Sequence, residues 1–220
     1  MRDNKSISVI IPTLNEEKNL PIVLASLPKY IDEVLIIDGY SVDGTVEIAK
    51  RHNAKVIYSD KGKGAALIKG LNMAKGDIII MMDADCSHRV NEFDLLIGGI
   101  NAGYDLCMGS RFIQGGGTED MPWYRVFGNK FFVFLVNIIW RMNYSDLCYG
   151  YRSLTREAAK RLELKSESFA IETEMSIKAA KKKLKVIEVP SFEKKRKFGH
   201  GNLKTFKHGF RILMRIAKEL

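Results

Sequence analysis

Short apolar runs separated by helix-length amphipathic stretches set the rhythm of this chain. Ile7–Pro12 predicts a first strand, Val34–Asp38 a second and Ala54–Tyr58 a third, with helices running to about Leu27, His52 and Ala74 between and after them. Asn15 is placed to cap the first of those helices, and Gly76 to stop the third. Ile78–Met82 contains no polar position, which predicts a strand buried on both faces in the middle of a parallel sheet.

Further along, residues 90–102 predict a helix and Asp105–Arg111 a strand, and the glycine-rich stretch Gly115–Pro122 predicts a mobile loop. An aromatic-rich helix follows from about Trp123 to Met142. Its apolar stretch Phe131–Trp140 is half the ~20 residues that span a bilayer, so it reads as a buried core helix or a membrane-interface helix. Asp146–Arg152 reads as a short strand-like segment. A basic helix, a helix from Phe169 to Lys182 and a strand Val186–Val189 complete the body.

Alternating strands and helices imply βαβ units and an α/β fold around a mostly parallel central sheet. Ligands of such sheets bind beyond the carboxyl ends of the strands. Asp83 and Asp85 leave the central strand at that edge, where alternating acids can hold one hard divalent cation; an ordinary turn is the competing reading.

At the C-terminus, Leu203, Phe206, Phe210, Leu213, Ala217 and Leu220 recur at three- and four-residue spacing, with Lys204, Lys207, His208, Arg211, Arg215 and Lys218 between them. This predicts a basic amphipathic helix about 27 Å long, suited either to the plane of an anionic membrane or to packing on its own domain. The chain of 220 residues carries a formal charge of +9, and +8 of it lies from Lys194 onward. The three cysteines are scattered, so neither a disulfide framework nor a zinc ribbon is expected, and the N-terminus lacks the apolar region of a signal peptide.

Two phosphate-binding signatures fail. Gly39 and Gly44 have Walker spacing, but Thr45 stands where lysine is required, and the Gly62-x-Gly64 turn lacks the third glycine of the dinucleotide fingerprint.

Eight motifs do fit together in order: Ile10-Ile-Pro12-Thr-Leu-Asn15-Glu16, Asp38-Gly-Tyr-Ser41-Val-Asp43-Gly44-Thr45, Gly62-Lys-Gly64-Ala-Ala, Asp83-Ala-Asp85-Cys-Ser87-His88, Gly109-Ser-Arg111, Asp146-Leu-Cys-Tyr-Gly150-Tyr-Arg152, Phe169-x-x-Glu172-Thr-Glu174, and Arg196-Lys-Phe-Gly199-His-Gly-Asn-Leu203. In these the chain resembles family-2 inverting glycosyltransferases of the GT-A (Rossmann-like) fold, especially the dolichol-phosphate mannose synthase and polyprenyl-phosphate glycosyltransferase branch. The resemblance implies a GT-A catalytic domain over residues 1–192, and a basic loop with a membrane-associating helix over residues 193–220.

It further implies that Pro12, Asn15, Glu16, Asp38, Gly62, Lys63, Gly64, Asp83 and Ala84 surround the nucleotide of a GDP- or UDP-hexose. Asp83 and Asp85 would hold Mg²⁺ or Mn²⁺ against its diphosphate. Arg111, Arg152 and Arg196 would bind the acceptor phosphate, as the planar guanidinium fork bonds phosphate bidentately. Asp85, Arg111, Asp146, Glu174 and Arg196 form the expected catalytic set. A sugar-hydroxyl acceptor would need Asp146 or Glu174 as base, whereas a lipid phosphate is already ionised; the competing readings are a strand cap for Asp146 and a solvated helix acid for Glu174. Gly39 departs from the family, which often has a second acid there. Arg89-Val90 stands where prolines commonly follow His88, itself read as a loop residue.

The expected activity is hexose transfer to a polyprenyl phosphate with inversion, at the cytoplasmic face of a membrane, bound peripherally with no transmembrane span. A family-2 enzyme acting on a saccharide hydroxyl is the alternative. A noncatalytic nucleotide- or nucleic-acid-binding module is disfavoured, since no base-stacking motif accompanies the basic tail; no nucleic-acid partner is expected.

Overall fold

A computed structural model describes residues 5–199, 201 and 205–220. In chain order the elements are β1 (Ile7–Thr13), α1 (Leu20–Ser26), β2 (Glu33–Asp38), α2 (Thr45–Arg51), β3 (Lys55–Tyr58), α3 (Lys63–Met73), β4 (Ile78–Met81), α4 (Phe93–Asn101) and β5 (Leu106–Ser110). They continue with β6 (Gly117–Thr118), α5 (Trp123–Trp140), β7 (Arg152–Thr155), α6 (Arg156–Leu162), α7 (Ile171–Lys181), β8 (Val186–Pro190), β9 (Phe192–Glu193) and α8 (Thr205–Lys218).

Seven strands form the main sheet in the order β3-β2-β1-β4-β7-β5-β8, and only β7 runs against the others. β4 lies at its centre with all four residues buried, as its unbroken apolar run requires. Its side chains alternate between two cores. Ile79 and Met81 pack with α3, α5, α6, α7 and α8, while Ile78 and Ile80 pack with α1, α2 and α4. The chain goes from β1 outward through β2 to β3 and then returns to place β4 on the other side of β1. The switch in direction opens a crevice at the carboxyl ends of β1 and β4.

Three local expectations change. The first helix starts at Leu20, with Pro21 in its first turn, and Asn15 does not cap it. Asn15 instead adopts φ 55° in the turn after β1, where its side chain accepts a hydrogen bond from the Val42 amide; asparagine tolerates this left-handed conformation better than most residues. The strand expected over Asp146–Arg152 begins only at Arg152. Upstream of it, the Asp146 and Leu147 amides bond to the Glu188 and Asn129 side chains instead of a neighbouring strand. The Gly115–Pro122 loop is tied down in the middle, because β6 pairs with β9 and the Glu119 amide donates to the Glu193 carbonyl.

The two amphipathic helices show more than one face. On α5, Asn129, Phe132 and Val136 are buried, whereas Trp123, Phe127, Phe134 and Ile138 are exposed, so it is at once a core helix and a surface helix. On α8 the buried edge is His208, Ile212 and Ile216. The stripe expected to be its single apolar face, Phe206, Phe210, Leu213, Ala217 and Leu220, faces outward, and His208 and Arg215, expected on the basic side, turn inward. Leu203 and Lys204 lie outside the described residues. Helical spacing reveals that apolar rows exist, but not which of two neighbouring rows meets the domain. Ile216→Asp should therefore release α8, accelerating tryptic cleavage around Arg211 and Arg215 by roughly tenfold or more while far-ultraviolet dichroism keeps most of its amplitude.

Candidate active site

β1, β2 and β4 all end at one edge of the sheet, and the turns leaving them build the site. At the end of β2 the Asp38 carboxylate is fully buried and accepts from Thr13 Oγ1 (2.9 Å), Ser41 Oγ (2.6 Å) and the Ser41 amide (2.8 Å), so it shapes the 39–45 turn. After β4, the Asp83 amide donates to His88 Nδ1 at 3.0 Å, and the His88 ring stacks on Tyr151 with centroids 4.6 Å apart. Burial lowers the His88 pKa against the pull of Asp83 and Asp85, which suits a neutral ring accepting at Nδ1.

Three cations around this edge are each shared by two carboxylates. Lys63 Nζ lies 2.8 Å from Asp83 Oδ1, 3.0 Å from Asp83 Oδ2 and 3.1 Å from Glu172 Oε1. Arg196 holds Glu16 with Nη2 at 2.6 Å and Nη1 at 3.0 Å, and its Nε faces Asp85 Oδ2 at 3.7 Å. Arg111 grips Asp146 with Nε at 2.7 Å and Nη2 at 3.0 Å, and reaches Glu193 Oε2 with Nη1 at 3.0 Å.

Burial opposes charge on each cation, yet its carboxylates win and hold the pKa of Lys63, Arg111 and Arg196 above the usual values. For Asp83 burial pushes upward, and Lys63, His88 and Arg196 outweigh it to hold the carboxyl below its usual range. These groups are ionised at neutral pH.

They line a cleft of about 1160 Å³ that runs from the sheet edge to a furrow between α5 and α8. Seven carboxylates and five lysine or arginine side chains line it, so it is acid-rich in a protein of net charge +9. The furrow end is apolar, with Phe131, Phe132, Phe206, Phe210 and Leu213. No cluster of three His, Cys, Asp or Glu side chains suited to a metal occurs among the described residues. Asp83 and Asp85 nevertheless both face the cleft and offer hard oxygen donors. Two carboxylates suit a magnesium-like ion whose other ligands are waters and substrate phosphates.

Of the residues expected at the site, Pro12, Glu16, Gly62, Lys63, Asp83 and Ala84 line the cleft, with Asp85, Arg111 and Arg196. The others serve it from outside. Asn15 and Asp38 spend their side chains on the 39–45 turn, and Asp146 orients Arg111. Gly64 packs on the 166–168 backbone: a Cβ there would lie 2.2 Å from the Ser166 carbonyl oxygen. Arg152 is fully buried and spends four of its five N–H donors on the carbonyls of Leu147, Tyr149 and Glu172 and on Ser176 Oγ, so its guanidinium is not exposed to meet an acceptor phosphate. Glu174, buried behind the site, accepts from the Lys165 and Ser166 amides and pairs with Lys178 at 2.8 Å, so it secures the 165–168 loop and is not placed to remove a proton. Its burial would raise the carboxyl, but the Lys178 bond and the two amides hold it below the usual range.

Glu172, Glu193, Asp120, Lys195 and His208 line the cleft although no role was expected of them. Glu172 stood in a quoted motif two residues from Glu174, and helical geometry decides which of the two turns inward. Glu193 and Asp120 come to the site through the β6–β9 pairing, which no sequence pattern announces. Of the last motif, His200, Asn202 and Leu203 lie outside the described residues.

This architecture is the GT-A one. A solved structure with the same fold is glucosyl-3-phosphoglycerate synthase from Mycobacterium tuberculosis, in complex with Mn²⁺, uridine diphosphate and glucosyl-3-phosphoglycerate, at TM-score 0.76 and 19% identity over 98% of this chain and 80% of that one. The family model described as Glycosyl transferase family 2 matches residues 8–163, and the chain belongs to that family. Similar curated proteins are a dolichol-phosphate mannosyltransferase of Pyrococcus furiosus, 34% identical over 84% of this chain and 55% of its own length, and a polyprenol monophosphomannose synthase of Mycolicibacterium smegmatis, 29% identical over 90% and 81%. The chain thus spans about half the length of the first of these relatives.

Glu174→Gln should lower stability at pH 7 by about 1–3 kcal/mol in urea titration, and leave kcat for correctly folded enzyme within a few-fold. Because the native carboxyl lies below its unfolded value of about 4.3, its contribution is full above that pH and is lost as pH falls through the native value. The gap between wild type and variant should therefore narrow below about pH 4. Gly64→Ala, which drives a Cβ into the 166–168 backbone, should cost about 1–3 kcal/mol by the same measurement.

Proposed function

We propose that the protein transfers a hexose from a nucleotide diphosphate sugar to a polyprenyl phosphate, with inversion at the anomeric carbon. The observation that carries this reading is the continuity of the cleft: charged groups at the sheet edge give way to an apolar furrow between two helices whose outer faces expose further apolar side chains. An amphiphile with an anionic head and a long apolar tail matches that sequence of surfaces. The names of the Pyrococcus furiosus and Mycolicibacterium smegmatis relatives support the same acceptor class.

In the reaction a phosphate oxygen of the acceptor attacks the anomeric carbon, and the bond from that carbon to the donor's diphosphate breaks, its electron pair leaving with the nucleoside diphosphate. Both reactants are anions entering an acid-rich cleft. A divalent cation held by Asp83 and Asp85 would offset the charge gathering on the leaving diphosphate. The chain supplies the rest of the positive charge. Arg196 lines the cleft beside Asp85, and its Nε has no hydrogen-bond partner among the described residues. Arg111 is fixed in orientation by Asp146 and Glu193, and Lys195 and Arg125 also line the cleft.

A second reading has one observation in its favour. A saccharide hydroxyl needs a base, and Asp120 lines the cleft with its pKa raised by burial and by Glu193 and Asp85. Asp120→Asn separates the two: transfer to lipid phosphate should stay within about tenfold of wild type, whereas general-base catalysis contributes roughly 10²–10⁴-fold.

Peripheral membrane attachment through residues 193–220, at the cytoplasmic face, belongs to this proposal. Among the described residues no helix is long and apolar enough to cross a membrane. Exposed Phe206, Phe210 and Leu213 on α8 lie among Lys207, Arg211 and Lys218, a pattern that suits an anionic lipid surface.

Incubation with polyprenyl phosphate and a panel of labelled UDP- and GDP-hexoses, followed by lipid extraction, should move label into the lipid for one donor, and no labelled lipid with any donor would sink the reading. Asp85→Ala or EDTA should abolish the transfer while the fold is retained. Phe206→Asp combined with Phe210→Asp should reduce sedimentation with anionic liposomes by about tenfold or more; unchanged sedimentation would remove the membrane role of α8.

A further inference from the structure

Lys63 is held in a way that bears on how a metal would enter. Its ammonium has three N–H donors, and the structure gives it three carboxylate oxygens, both of Asp83 and one of Glu172, all within 3.1 Å. The side chain is largely buried, and the space it fills exists because residue 150 is glycine. A Cβ at 150 would stand 3.1 Å from Lys63 Nζ, 3.3 Å from Glu172 Oε1 and 3.7 Å from Asp83 Oδ2. Among the described residues Asp85 has no such saturating partner: its Oδ1 accepts from the Ser87 amide at 3.0 Å, while Arg196 approaches its Oδ2 only at 3.7 Å and spends its bonded nitrogens on Glu16 and the Phe198 carbonyl.

We propose that Lys63 is the built-in counter-cation of Asp83, which a divalent ion must displace, so that metal and nucleotide diphosphate bind only weakly alone and strongly together. This rests on the metal reading of Asp83 and Asp85. A magnesium-like ion bonds carboxylate oxygen at about 2.0–2.1 Å. With both Asp83 oxygens already taken by one ammonium, such an ion and that ammonium are two cations competing for one carboxylate, in a site where burial leaves little water to screen them. Displaced from Asp83, Lys63 keeps only Glu172 and has two donors without acceptors, which is costly in a buried place. A diphosphate supplies those acceptors. The nucleotide thus takes up the ammonium that the metal dislodges, and each ligand lowers the cost of binding the other. Glu172 keeps the lysine at the site during the exchange, which gives that buried acid a positioning role.

The test measures Mn²⁺ binding to the full chain by electron paramagnetic resonance of the free ion, with no nucleotide and with UDP or GDP. In wild type, one of the two nucleotides should tighten Mn²⁺ binding by roughly 10–100-fold. Lys63→Met should bind Mn²⁺ alone about tenfold more tightly than wild type, and the tightening by nucleotide should shrink to about threefold or less. Lys63→Arg, which restores the positive charge, should return both values toward wild type. Thermal unfolding checks that each variant folds, and Lys63→Gln carries the same expectation if the methionine variant does not. Unchanged or weaker Mn²⁺ binding by Lys63→Met, with nucleotide tightening intact in both proteins, overturns the proposal and leaves the metal reading standing. No Mn²⁺ binding by either protein with either nucleotide overturns both.

Discussion

Carboxylates outnumber cations around the cleft, and the structure resolves the imbalance by sharing: one lysine and two arginines each stand between two acids. A buried charge is tolerated only when paired and hydrogen-bonded. Asp83 and Asp85 can project into a semi-enclosed space because Lys63 and Arg196 stand beside them, and those cations are in turn fixed by Glu172 and Glu16. The arrangement ties together distant parts of the chain. Arg196 closes on Glu16 across 180 residues, and Arg111 on Glu193 across 82. The C-terminal segment is therefore joined to the first turn of the sheet by the same ion pairs that shape the site.

The sheet decides which residues reach this place. Strands running with β4 deliver side chains from their ends and from the turns that follow them, as Asp38 ends β2 and Asp83 and Arg111 follow β4 and β5. β7 runs the other way between β4 and β5, so its beginning lies at the same edge, and the residues before it enter the site. Asp146, Cys148, Tyr149 and Gly150 arrive by that route. Cys148 faces the cleft, and burial and Asp146 push its thiol up to about 12, so it stays neutral beside the charged groups.

Order and type of the main elements were legible in the sequence because both faces of the sheet are covered. Strands such as β4 then show as unbroken apolar runs, and the acids ending them stand out. Asp83 and Asp85 could be picked for that reason, whereas Arg111 and Arg196 were singled out by the family resemblance. What the sequence concealed was direction. Glu172 and Glu174 sit two positions apart on α7, yet one faces the cleft and the other the 165–168 loop. Arg152 carries the residue type that binds phosphate but is consumed by backbone carbonyls. Asn15 has the chemistry of a helix cap and serves a left-handed turn. In each case the residue type states what a side chain can bond to, and only the fold states which partner is within reach.

The exposed rows on α5 and α8 have a consequence of another kind. Both tryptophans of the chain, Trp123 and Trp140, lie on α5, at its first and last positions. Trp123 is 80% exposed at the end near the cleft mouth, where its neighbours Tyr124 and Arg125 line the wall and Arg125 Nε bonds Thr205 Oγ1 of α8 at 3.0 Å. Trp140 is half-buried at the other end. Intrinsic indole emission from this protein accordingly arises from the two ends of one helix, one beside the core and one near the cleft mouth, so that replacing Trp140 leaves Trp123 as a single lamp at the cleft without any added label.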